Sequence, residues 1–174
     1  MDNKKYTAMD IANYIVNLVN VPDKKLCTLT HIKLQKILYY VQATYMAKNG
    51  GTPLFTNDIE KWQYGPVVRE VYSEFKDFGI SHINTTRSYL VREEKGNFQL
   101  VDTDICAIEN DINISSHIKE VFNCLKDISA FDLVDRTHEE PMWKDLKHEI
   151  LSRNTVLKYT SEEMTEYFTN HPLI

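Results

Sequence analysis

The sequence predicts a mainly α-helical fold, a compact single-domain helical bundle spanning 1–174 with a small β-hairpin and short strands between helices. Three observations predict it. Apolar residues return at helical spacing in most segments of the chain. The five Gly and five Pro fall almost entirely where such a segment begins or ends. The stretch from Ile80 to Val101 is the least helical.

The elements follow in order. Thr7-Ala8-Met9-Asp10 is a capping box, in which the Thr hydroxyl accepts from the third helical amide and Asp10 reaches back. Behind it Ile11, Tyr14, Ile15, Leu18 and Val19 form a stripe that Pro22 closes. Thr30 caps the clearest helix, whose apolar face is Leu34, Ile37, Leu38, Val41 and Tyr45, with Lys33 and Lys36 on its polar face and Gly50-Gly51 at its end. An extended segment after Pro53 leads to Tyr64. Pro66 fits the first position of a helix carrying Val67, Val71, Tyr72, Phe75 and Phe78, with Gly79 as its cap. Ser88–Arg92 and Phe98–Val101 flank a polar turn and read as a hairpin within an insert of about 81–104.

Helical pattern then resumes. Ile114, Ile118, Val121, Phe122, Leu125 and Ile128 share one stripe, capped by Ser115 or Ser116. Ser129-Ala130-Phe131-Asp132 is a second capping box and opens a short helix through Leu133 and Val134. Pro141 precedes a helix with Trp143, Leu146, Ile150 and Leu151, and Thr160 to Glu163 caps a last one with Met164, Tyr167 and Phe168.

Charge narrows the function classes. A formal charge of −5 and a pI near 5.7 argue against nucleic acid as a direct partner, because phosphate binding needs clustered Lys and Arg. The uncharged run Ile37–Ala47 lies between Lys36 and Lys48 and is far too short to span a membrane. Lys4 and Lys5 resemble the start of a signal peptide, but Asp10, Asn13 and Asn17 interrupt its core, so the expected location is the cytoplasm. Cys27, Cys106 and Cys124 lack metal-ligand spacing and read as reduced thiols.

The chain gives little support for catalysis. Thr137-His138-Glu139-Glu140 is the densest polar cluster, and a His beside two carboxylates suits a metal or a proton transfer. Adjacent residues on a helix diverge, however, and no second His follows at four residues. A helix N-terminus with favourable acidic residues is the competing interpretation. Cys27 and His31 have no spacing that assures contact, and Glu93-Glu94 and Glu162-Glu163 read as solvated charge. No catalytic residue, metal or cofactor is assigned. In an extended segment Glu60, Trp62 and Tyr64 share a face, which either packs under the helices or stands exposed beside Arg69 as an anchor for a partner, rimmed by Lys33 and Lys36.

The stretch from Lys33 to Phe75 resembles the Panacea-domain family, the SocA- and GepA-like phage-associated proteins. The resemblance rests on Lys33–Tyr40, Pro53–Phe55, Ile59–Val68 and Val71–Phe75. A second block resembles the family at Ser129, Ala130, Leu133, Thr137, His138, Glu140 (or Glu139) and Trp143, with two departures: Met142 separates Pro141 from the Trp, and Lys61 replaces the usual Ala. The similar regions are about 7–80 and 115–168. The resemblance implies an antitoxin that neutralises a cognate protein toxin by direct binding. Its alternatives are an adaptor delivering a toxin to a cytoplasmic protease or, in another class, a small metal-dependent enzyme using Thr137, His138 and Glu139. The candidate partner-binding residues are Trp62, Tyr64, Arg69, Lys33, Thr137, His138, Glu139 and Trp143.

Overall fold

One helix organises the fold. In the computed structural model, which describes residues 6–22 and 26–173, the extended Thr30 accepts from the Lys33 amide and starts α2, His31–Lys48. Lys4 and Lys5 lie outside the described residues. At the other end Gly50 and Gly51 take φ of 61° and 86°, and the Gly51 amide donates to the Met46 carbonyl at 2.8 Å. That bond closes a Schellman motif.

Around α2 pack α1 (Ala8–Val19), α3 (Arg69–Phe75), α5 (Ile112–Leu125), α6 (Ala130–Glu139), α9 (Ser161–Asn170) and the strand β2 (Gly65–Val67). The amphipathic expectation for α2 is therefore corrected. Leu34, Ile37, Leu38 and Val41 are buried, but so are Lys33, Gln35, Lys36, Tyr39, Tyr40, Gln42 and Thr44, because neighbours close on every side. Their polar atoms find partners, as burial requires. Gln35 accepts from the Val68 amide at 2.8 Å, and Gln42 accepts from the Leu54 and Phe55 amides. Lys33 donates to the Lys126 carbonyl, so it is no part of a solvated rim.

Three short strands form one sheet in the order β2-β1-β5, with β1 at Glu60–Trp62 and β5 at Leu157–Lys158. Trp62 pairs with Gly65 and Lys61 with Pro66, so Gln63 and Tyr64 make a two-residue turn. Pro66 thus lies in a strand and does not start a helix. An edge strand tolerates its missing N–H, and α3 begins only at Arg69, after the extended Val68. The α3 helix continues into a 3-10 turn, Lys76–Phe78, that Gly79 caps at φ 53°.

The hairpin expected near residue 90 is present as β3 (Tyr89–Arg92) and β4 (Phe98–Val101), with Leu90 opposite Leu100. Tyr89 donates to Asp10 at 2.9 Å, which ties it to the start of α1. A helix the periodicity did not separate, α4 (Ile105–Asn110), follows with Asp104 as its cap. Asp111, not Ser115 or Ser116, caps α5; Ser115 lies inside that helix and donates to the Glu109 carbonyl. From the Ser129 cap, α6 runs past Val134 to Glu139. The helix expected after Pro141 is two, α7 (Pro141–Lys144) and α8 (Lys147–Ser152). The Thr7–Asp10 capping box forms as expected; at Ser129 only half of the expected box forms, the side chain accepting from the Asp132 amide, and the Thr160 cap proves to be a full box with Glu163. Among the described residues no helix is long and apolar enough to cross a membrane.

Candidate site at the first hairpin

The β1–β2 hairpin lies over the polar side of α2. Gly65 has φ 86°, and a Cβ there would sit 2.5 Å from Thr137 Oγ1 and 3.0 Å from Lys36 Cε. Only glycine permits both that backbone and that approach. Beneath it the Lys36 ammonium donates to the Pro66 carbonyl at 3.1 Å, and Trp143 Nε1 donates to the Trp62 carbonyl at 2.9 Å. The hairpin is thus fastened from α2 on one side and α7 on the other.

Lys36, Tyr39 and Tyr40 stand at i, i+3 and i+4 on α2, so their tips share a side. Tyr39 and Tyr40 both donate to the Glu140 carboxylate, at 2.5 and 3.0 Å. Burial pushes Glu140 up to about 7, opposed by those two hydroxyls. It pulls the Lys36 ammonium down to about 7, opposed by the charge of Glu140. Two buried ionisable groups of opposite type thus underlie the hairpin, each pushed by burial toward its neutral form.

Above this floor opens a cleft of about 530 Å³ between α2, the hairpin and the segment after α8. Trp62 and Arg69 stand in its wall, the guanidinium 5.4 Å from the ring. Glu60 holds both: its carboxylate accepts from Trp62 Nε1 at 2.6 Å and from two Arg69 nitrogens at 3.0 and 2.8 Å. At the turn Tyr64 is 52% exposed and meets the exposed Phe131 edge-on, their centroids 6.4 Å apart. The expectation that Glu60 and Trp62 share a face holds. Tyr64 leaves the strand at the turn and reaches solvent.

The other candidates separate. Thr137 and Trp143 are buried against the hairpin, with Thr137 donating to the Val134 carbonyl, while the buried Lys33 faces away from it, toward Lys126. The interpretation of Thr137–Glu140 as a helix N-terminus is corrected. Thr137, His138 and Glu139 end α6, and Glu140 is the residue that bridges to α7. His138 stacks on Trp143 at 3.6 Å, and burial lowers its affinity for a proton. Glu139 points to solvent and pairs with Lys144 at 2.6 Å. His138 and Glu139 therefore do not converge, and no group of three or more His, Cys, Asp or Glu among the described residues could hold a metal.

Sequence reasoning missed Gly65, Lys36, Tyr39, Tyr40 and Glu140 as one unit. The i, i+3, i+4 spacing of three polar-tipped side chains on α2 was an available signal. The two departures from the family pattern are both accommodated. Lys61 is buried and pairs with Glu163 of α9 at 2.8 Å, so Glu163 is more than solvated charge. Met142 is buried beside Trp143, after Pro141 at the first position of α7.

A family model described as antitoxin SocA-like, Panacea domain, matches residues 34–144, well over half of the chain. The match contains all but the first three residues of α2, the β1–β2 hairpin, Glu140 and Trp143, and leaves α1 and α9 outside. Comparison with curated proteins and with solved structures finds no match.

Proposed function

The chain belongs to the antitoxin SocA-like, Panacea domain family, and from that premise we propose that it acts in the cytoplasm, as one domain, as an antitoxin that binds a protein toxin directly. The observation that carries this reading is the exposed set Tyr64, Arg69 and Phe131 around Trp62, on a hairpin fastened to the core. Aromatic and Arg side chains on a rigid support are the usual anchors of a protein interface. Their order is set before binding, which reduces the entropy lost on association. Thr137 and Trp143 support the surface from beneath.

Co-expression with a toxic neighbouring gene product tests the reading. The wild-type chain is expected to restore growth and to co-purify with the toxin. Tyr64→Ala with Arg69→Ala is expected to abolish both while leaving the unfolding midpoint within a few degrees of wild type. A complex unaffected by the double variant would move the interface elsewhere; no complex and no rescue with the wild type would remove the antitoxin reading.

A further inference from the structure

The acidic chain gathers positive charge at one place. Lys36, Lys61, Arg69 and Arg153 all line the cleft beside the first hairpin, and among the described residues no Asp or Glu lines it. Two of the four already have carboxylates, Lys61 from Glu163 and Arg69 from Glu60. Lys36 and Arg153 have none within ion-pair distance among the described residues. The buried Lys36 ammonium makes one hydrogen bond, to the Pro66 carbonyl, and an ammonium carries three donors. Arg153 donates to the Gln63 side chain at 2.6 Å. It is also the only residue other than glycine with positive φ among those described, at 56°. That left-handed conformation caps the C-terminus of α8 and sets where the Arg153 side chain leaves the helix.

Ile32, Val67, Ile150 and Val156 give the wall an apolar part, with the rings of Trp62 and Tyr72 meeting edge-on at 4.9 Å, and His31, Gln35, Gln63 and Thr155 add neutral polar groups. The volume falls in the range of a small ligand or of one or two side chains. We propose that this cleft receives a carboxylate carried on an apolar body, with Lys36 and Arg153 as its cationic partners, and that an Asp or Glu of the bound toxin supplies it. The second half rests on the antitoxin reading. It identifies the chemistry that the exposed Tyr64 and Arg69 and the half-buried Trp62 surround.

The probe is 3-phenylpropanoate, with 3-phenylpropanamide as its neutral twin, titrated into the full chain and followed by amide and indole NMR shifts. The acid is expected to shift the Trp62 indole signal saturably, and the amide to bind at least about ten-fold more weakly, as loss of a charged hydrogen bond requires. Lys36→Met is expected to weaken the acid by a similar factor. Since that variant alters the core, Arg153→Asn serves as the second: Asn tolerates the left-handed conformation while the charge is removed. It too should weaken the acid about ten-fold, with the fold unchanged. In the complex, the acid should compete with the toxin and the amide should not. Equal binding of acid and amide, no shift at Trp62, full affinity in Arg153→Asn, or a toxin complex indifferent to the acid would each overturn the proposal. A wild-type chain that forms no toxin complex at all fails the antitoxin reading instead, and leaves the result of the probe titration separately readable.

Discussion

The molecule carries two β-hairpins built on opposite plans. The β1–β2 hairpin is three residues per strand, yet it is bonded from Lys36, Gln35 and Trp143 and pressed against Thr137. The β3–β4 hairpin is four residues per strand and is tied down at one end, through Tyr89. Its outer face shows Leu90, Phe98 and Leu100 to solvent at 64%, 68% and 66%. Strand length and apolar content would rank the second as the sturdier. Bonds from distant residues decide otherwise: a hairpin this short is stable only on a packed support.

Substituting the glycine in each hairpin gives the sharpest test. Gly65 and Gly96 have nearly the same φ, 86° and 84°, but a Cβ on Gly96 meets nothing within 4 Å. Gly65→Ala is expected to cost about 3 kcal/mol or more, adding a clash to the left-handed strain, as read from denaturant midpoints. An equal cost at the two glycines would break the comparison.

The buried charge beneath the first hairpin gives the next largest effect. Glu140 holds its proton to about 7 in the folded protein, against 4.5 for a free side chain. Its contribution to stability is fully present below pH 4.5 and is lost as pH rises toward 7, with a slope of at most about 1.4 kcal/mol per pH unit. Urea midpoints at pH 5 and pH 7 should show this loss in wild type. In Glu140→Gln the loss should vanish. Gly96→Ala comes third, at about 1 kcal/mol, from the backbone strain of its turn. Leu100→Ser is the smallest, within about 0.5 kcal/mol, because its side chain is mostly in water already. A larger loss there would show that the second hairpin has support its contacts do not reveal.

What the sequence disclosed follows the range of each interaction. The Thr7 capping box, the Thr30, Ser129 and Thr160 caps and the second hairpin depend on residues a few positions apart, and they were legible. The first hairpin was not. Its turn, Gln63-Tyr64, has none of the usual turn residues at its centre, and Pro66 suits a helix start as well as an edge strand. Periodicity placed the apolar face of α2 correctly, yet it cannot register that another element covers the opposite face. Hence Lys36 read as solvated when it is enclosed. Trp62, Tyr64 and Arg69 were found as a group from their types and spacing. Their support from Glu60 and Trp143 needed the folded chain, since Trp143 lies 81 positions away from the carbonyl it holds.

The position of α2 also bears on how the protein is made. This helix is translated early, whereas α9, whose Phe168 closes over Tyr39 and Tyr40, is translated after every other helix described. Until α9 leaves the ribosome, two tyrosines and the carboxylate they bind lie without their cover, and native closure waits on a contact between residues more than a hundred positions apart. A nascent chain halted before Ser161 should therefore be cut readily by protease at α2, and the released full chain should resist.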